Sequence, residues 1–177
     1  MGSVKKYPPV KLVFGLIYKN ENILQQACSN LERRFGKLDF LSQPLDFNYT
    51  DYYQKEFGAG LKRKFVSAGK LIRPDDLAKI KTFTNKLEKK FSHSGCRLIN
   101  IDPGCLDLSK FILATTKDFF HRIYLSRGIF AELTLFFQDK TFKALDWTYP
   151  DYRTAEYIAI LKQIREIYAL QLKNKKI

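Results

Sequence analysis

The chain is poor in the residues that staple, ligate or cross membranes. Its three cysteines, Cys28, Cys96 and Cys105, are an odd number without Cys-x-x-Cys spacing, which argues against a zinc ribbon and a disulfide framework. Two histidines are few for a zinc site, whereas carboxylates suit harder cations. No run approaches the roughly 20 apolar residues that span a bilayer, and no basic-then-apolar leader opens the chain. The expectation is a cytoplasmic protein without a membrane partner. Met1-Gly2-Ser3 begins like a myristoylation signal, but Lys6 stands where Ser or Thr belongs. No Gly-x-x-x-x-Gly-Lys-Ser/Thr loop is present to cradle phosphates, and no internal repeat or low-complexity stretch appears.

What is there describes a folded α/β chain. With 177 residues, 45% of them hydrophobic, the chain can bury one core of ordinary size, and the expectation is a single domain over 1–177. Aromatic content of 15% is far from a disordered composition. The formal net charge is +13, a field that attracts phosphates and nucleic acid. Leu61 to Lys90 holds ten Lys/Arg against three Asp/Glu. Many of these lysines fall on one helix, so a solvated face explains them as well as a partner does.

Lys11 to Tyr18 reads as a buried first strand. Asn20 caps a helix over 21–35, with Ile23, Leu24, Ala27, Cys28, Leu31 and Phe35 as its apolar stripe and Gly36 as its stop. Lys37 to Tyr49 reads as a second strand interrupted by Pro44, followed by a Tyr-rich loop. Leu61 to Ile72 is a third strand or a short hairpin around Gly69. Pro74 opens a second helix, with Asp75 and Asp76 in its first turn and a stripe of Leu77, Ile80, Phe83, Thr84, Leu87 and Phe91. Arg97 to Asp102 is a fourth strand stopped by Asp102-Pro103-Gly104. This β-α-β-β-α-β order is the ferredoxin-like arrangement, with a core over about 10–104. The elaboration over about 105–173 adds Phe111 to Thr115, a β-hairpin of His121–Leu125 with Ile129–Phe137 across a three-residue loop, and a final helix from Thr154 to Lys173.

The polar residues then sort by strand parity. Asn100 and Asp102 point away from Ile99 and Ile101, on the sheet face opposite the two helices; turn formation before Pro-Gly is the plainer role of Asp102. The hairpin pairs Leu125 with Ile129, Tyr124 with Phe130, and Arg122 with Glu132. Arg122 and Glu132 become either a cross-strand salt bridge or an anion clamp, and His121 falls on the apolar face. Loops crowded with aromatics and carboxylates, around Tyr49, Asp51 and Tyr52 and around Trp147, Tyr149 and Asp151, are of the kind that pack onto something and build sites.

At these residues the chain resembles the bacterial domain-of-unknown-function family 4416. The matching stretches are Pro9-Val10-Lys11-Leu12 with Gly15-Leu16-Ile17-Tyr18, Tyr49-Thr50-Asp51-Tyr52-Tyr53, Gly60-Leu61-Lys62-Arg63, Asn100-Ile101-Asp102-Pro103-Gly104, Ala114-Thr115-Thr116-Lys117-Asp118, His121-Arg122-Ile123-Tyr124-Leu125 and Trp147-Thr148-Tyr149-Pro150-Asp151-Tyr152. Cys105 departs from the aromatic residue expected after the Asp-Pro-Gly turn. Relatives sometimes carry a loose GTP-binding label. Thr116-Lys117-Asp118 resembles the guanine-reading Thr-Lys-x-Asp only with its spacer dropped.

Three functions compete. The first is an enzyme or sensor for a small phosphorylated or anionic ligand such as a nucleotide. Lys62, Arg63, Lys117 and Arg122 would hold the anion, with Tyr49, Tyr52, Asn100, Trp147, Tyr149 and Asp151 around the ligand. Asp51, Asp102, Asp118 and Glu132 would supply acid/base groups or oxygens for Mg²⁺ or Mn²⁺, and His121 a proton shuttle. The second is an RNA-binding module, although Lys62-Arg63-Lys64-Phe65-Val66 lacks the Gly and paired aromatics of a stacking platform. The third is a scaffold whose polar residues are structural. Neither substrate, reaction nor oligomeric state follows from the sequence.

Overall fold

A computed structural model describes residues 2–3, 7–49 and 54–174. It is a mixed α+β structure built on one large antiparallel sheet. Strand β1 (Lys11–Tyr18) is buried along its whole length. Helix α1 (Glu21–Phe35) follows. The Asn20 side chain accepts from the Asn22 and Ile23 N–H groups, and Gly36 takes a φ of +88° at the helix end, where only glycine turns without strain.

The second strand is in fact two short pieces, β2 (Leu38–Leu41) and β3 (Leu45–Asp46), separated around Pro44. Both lie along β4 (Lys62–Ala68), β2 against Val66–Ala68 and β3 against Lys62–Arg63. A four-residue helical turn, α2 (Gln54–Phe57), precedes β4. Pro74–Asp76 forms a 3-10 turn that leads into α3 (Leu77–Lys90). A small hairpin of β5 (Ser92–His93) and β6 (Cys96–Arg97), absent from the sequence expectation, turns on Ser94 and Gly95, both at positive φ.

Strand β7 (Ile99–Leu106) corrects a second expectation, because it runs straight through Asp102-Pro103-Gly104. The reason lies in the direction of its N–H groups. The Ile101 N–H points away from β1, donating to Glu88 Oε1 at 2.8 Å. Two residues on, Pro103 presents its missing donor to the same side. Among the described residues no strand lies along that edge there, so the ladder to β1 loses nothing.

Strands β8 (Lys110–Thr115), β9 (Arg122–Ser126), β10 (Ile129–Gln138) and β11 (Thr141–Ala144) complete the sheet, and α4 (Ala155–Asn174) closes the chain. The order is β11-β10-β8-β7-β1-β4-β2, with β3 beside β4 and β9 beside β10. The unforeseen β11 arises from a tight turn with Asp139 and Lys140 both at positive φ. The hairpin before it also differs in one detail. Ser126 pairs with Ile129 and Leu125 is bulged out, so the loop is Arg127-Gly128, while Tyr124–Phe130 and Arg122–Glu132 keep the expected register.

Helices α1 and α3 cover one sheet face through Leu12, Phe14, Leu16, Val66, Ile99 and Ile101. Helix α4 covers the other through Val13, Phe65, Phe111, Tyr157, Leu161 and Ile164. Each such large apolar side chain contributes about 1.5–3 kcal/mol when fully buried. The second face is the one on which an RNA-recognition sheet would stack bases, and here it is taken by α4. Among the described residues no helix is long and apolar enough to cross a membrane.

Candidate functional site

The sheet forks where β7 and β8 part. They pair only over Gly104–Leu106 and Phe111–Leu113, which leaves the outer edge of Ile99–Pro103 without a strand. Two side chains of α3 satisfy that edge: Glu88 accepts the Ile101 N–H, and Lys81 Nζ donates to the Ile101 carbonyl at 3.2 Å. Beyond them opens a cleft of about 480 Å³. Its walls are β4, β7, the end of β8, the start of β10, the segment Tyr49 reaches from, and the Tyr149–Tyr152 turn before α4.

Arg63 forms the floor and is only 3% exposed. Nη2 donates to Asp151 Oδ2 at 2.8 Å, and Nη1 lies 3.9 Å from Asp102 Oδ2. The rings of Phe47, Phe65, Tyr152 and Tyr157 surround the guanidinium at 5.1 to 5.8 Å, a cage that holds its plane in place. Within it, Nε and Nη1 meet no hydrogen-bond partner among the described residues, and neither does the hydroxyl of Tyr152. Burial raises the hydroxyl pKa of Tyr152 well above the ordinary value, so it stays protonated. Buried donors without acceptors cost about 1–3 kcal/mol each.

The wall next to Arg63 is a tight ionic network. Lys81 Nζ donates to Asp102 Oδ1 at 3.1 Å and sits 4.0 Å from Glu88 Oε1. Asn100 Nδ2 donates to Asp102 Oδ2, and Arg97 Nη1 donates to Glu88 Oε2 and Asn100 Oδ1. Burial pushes the Asp102 carboxyl up, but Lys81 and Arg63 outweigh it and hold it below its ordinary value. For Glu88 burial wins and the pKa is raised. Lys81 and Arg63 thus favour the ionised form of Asp102, and the strand runs on through this residue instead of turning after it.

The rim is a second network. Glu132, 1% exposed, accepts from Arg122 Nε at 2.8 Å and lies 3.1 Å from His121 Nε2. Arg122 Nη2 donates to the Tyr149 hydroxyl and Nη1 to the Lys117 carbonyl. His121 departs from the apolar placement expected of it. It precedes β9, where strand alternation no longer applies, and stacks on Trp147 at 5.1 Å beside Glu132. The Trp147 Nε1–H in turn donates to the Leu133 carbonyl, which ties the stack to β10.

Of the residues expected at a site, Tyr49, Arg63, Asn100, Asp102, Lys117, Glu132, Tyr149 and Asp151 line this cleft, and Arg122 and His121 brace it through Glu132. Lys62 does not line it: alternation along β4 turns its side chain away from that of Arg63. Asp118 is exposed and outside the cleft, and Trp147 supports it from behind. Asp51 and Tyr52 lie outside the described residues. No group of three His, Cys, Asp or Glu side chains among the described residues could hold a metal ion; the cleft carboxylates face lysine and arginine instead. Sequence reasoning missed Lys81, Glu88 and Arg97. A signal existed for two of them, because Leu77, Lys81, Thr84 and Glu88 fall on one helical row, placing a lysine and a glutamate on the buried side of α3.

The family model described as a domain of unknown function (DUF4416) matches residues 8–168. No curated protein matches the chain.

Proposed function

Because the chain belongs to the family described as domain of unknown function (DUF4416), whose name carries no activity, we propose a function from the geometry of its own cleft: it binds a small molecule through an anionic phosphoryl or carboxylate group seated on Arg63. The observation that carries this reading is that two donors, Nε and Nη1, of a guanidinium buried in the cleft floor have no partner among the described residues. An oxyanion supplies an acceptor of the kind that each of these charged donors lacks. The half-exposed rings of Tyr49 and Tyr149 at the mouth suit a planar group, so a nucleotide is the first class to test.

We read β7-β1-β4-β2 with α1 and α3 as a ferredoxin-like core over about 10–104, to which residues 105–173 add the second wall of the cleft within one domain. Asp102, beside Arg63, is the carboxylate that would exchange a proton with a bound substrate. Mg²⁺ or Mn²⁺ would arrive with the ligand's phosphates, since each cleft carboxylate already faces a cation.

Thermal-shift and calorimetric titration with inorganic phosphate, pyrophosphate and nucleoside mono- and triphosphates, each with and without Mg²⁺, test the reading. A ligand at about 100 times its Kd stabilises by about 2.7 kcal/mol. At least one of these anions should raise Tm, and Arg63→Gln should abolish that response. Lys117→Ala, a change on the exposed rim, should weaken binding while keeping the fold. Indifference of the wild-type protein to the whole panel would overturn the proposal.

A further inference from the structure

The β9 strand forms an outer edge of the sheet along the first half of β10 and has no second neighbour among the described residues. Its side chains are exposed on both faces: Ile123 is 71%, Tyr124 59% and Leu125 40% accessible. The preceding Phe119 and Phe120 are exposed too, Phe120 at 82%. Nothing among the described residues packs on them from outside. Edge strands are normally blunted by charge, proline or cover, because their free N–H and C=O groups template another strand. This one carries a bulge at Leu125, and its Arg122 N–H is taken by the Phe119 carbonyl at 2.9 Å, but it presents aliphatic and aromatic residues beside the backbone groups around Tyr124.

The sequence of the strand identifies what fits it. Arg122-Ile123-Tyr124-Leu125-Ser126 has the same pattern in both directions: polar, aliphatic, aromatic, aliphatic, polar. Only an antiparallel two-fold pairing places a strand against its own reverse. Centred on Tyr124, it sets Ile123 against Leu125 of the partner subunit, Tyr124 against the partner's Tyr124, and Arg122 against the partner's Ser126. Shifting the centre to between Tyr124 and Leu125 would oppose Arg122 to the partner's Arg127. Shifting it to between Ile123 and Tyr124 would oppose Arg122 to the partner's Leu125. The Tyr124 register thus matches apolar with apolar and opposes no like charges. Arg122 itself is already neutralised by Glu132, which removes the local part of the repulsion expected between two basic chains.

We propose that the protein is a homodimer joined through antiparallel β9–β9 pairing, which makes the two sheets one continuous sheet. Phe119 and Phe120 extend the apolar contact beyond the five-residue strand.

Sedimentation velocity over a concentration series at physiological salt tests it. The wild-type chain should approach twice its own mass as concentration rises. Ile123→Lys, a change at an exposed position, should leave the circular dichroism spectrum unchanged and yield a monomer. Adding Leu125→Glu to Ile123→Lys should restore the dimer, because each lysine then faces a glutamate across the two-fold axis; that rescue belongs to the Tyr124-centred register alone. A wild-type chain that stays monomeric throughout the series overturns the proposal. So does a dimer that Ile123→Lys leaves intact, or one that the second substitution does not rescue.

Discussion

Gly15 of β1 and Arg63 of β4 lie so close that a Cβ on Gly15 would stand 2.7 Å from Arg63 Nη1, with the Tyr152 hydroxyl at 3.0 Å. The glycine is needed here for space, since its φ is not in the left-handed region. Gly15→Ala should push the guanidinium off its seat. The expected cost is about 1–3 kcal/mol, read as a lower urea midpoint, together with loss of any anion-induced rise in Tm. An alanine variant that keeps both would show that the cage around Arg63 is loose.

Arg63 and Asp151 are a buried ion pair, 3% and 5% exposed. Removing one partner strands the other's charge, which typically costs about 3–5 kcal/mol. Arg63→Met should therefore be strongly destabilising in urea unfolding. The double change Arg63→Met with Asp151→Leu should recover much of that loss, because two apolar side chains leave no orphaned charge. Additive losses in the double variant would rule out this coupling.

The acid limb of stability should depend on Asp107. Burial pushes its carboxyl up, but hydrogen bonds from Lys110, Tyr7 and Ser109 outweigh this and bring it from 3.8 to about 2. A depressed carboxyl stabilises the fold above its unfolded value, and that contribution is lost as pH falls through the folded value. About 2 kcal/mol should disappear between roughly pH 4 and pH 2. Urea titrations over that range should show a shallower acid slope for Asp107→Asn than for the wild type.

The elements that were legible in the sequence are those whose signal is local. Asn20, the 21–35 stripe and Gly36 specify α1 without help from the rest of the chain, and the apolar run 11–18 specifies β1. The register that opposes Arg122 to Glu132 also followed from local pattern, although Arg127 and Gly128, both at positive φ, make the loop one residue shorter than expected. What was not legible depends on distant partners. Pro103 reads as a stop until the unpaired edge of β7 is known. Lys81 and Glu88 read as surface charge until that same edge supplies an N–H and a carbonyl for them. The Arg63 cage draws rings from β4, the loop before it and the α4 region, and no spacing along the chain announces such a convergence.

The β9–β10 turn offers a stabilising change. Arg127 has φ of +57° and Gly128 of +71°, the left-handed pair that a two-residue hairpin loop requires and that Asn-Gly supplies best. Arginine in that region carries a penalty that asparagine largely avoids. Arg127→Asn should raise stability by about 0.4–1 kcal/mol, or roughly 1–4 °C in Tm for a chain of this size. A lowered Tm would mean that Arg127 makes contacts worth more than its backbone strain.

Lys81 separates two buried carboxylates, Asp102 and Glu88, and its removal should leave a signature in pH. In Lys81→Met, Glu88 keeps its burial, which already raises its pKa, and loses a nearby cation. Its folded pKa should therefore rise further. A carboxyl raised on folding is favoured in its protonated form, so its contribution to stability falls as pH climbs from the unfolded value, 4.5, through the folded one. The deficit of Lys81→Met relative to wild type should thus be larger at pH 7 than at pH 5, reaching about 3–5 kcal/mol where both carboxylates must be charged. Urea midpoints of the two proteins at the two pH values measure this directly. An equal deficit at both would mean that Lys81 acts through its bond to the Ile101 carbonyl and not by holding the two carboxylates apart.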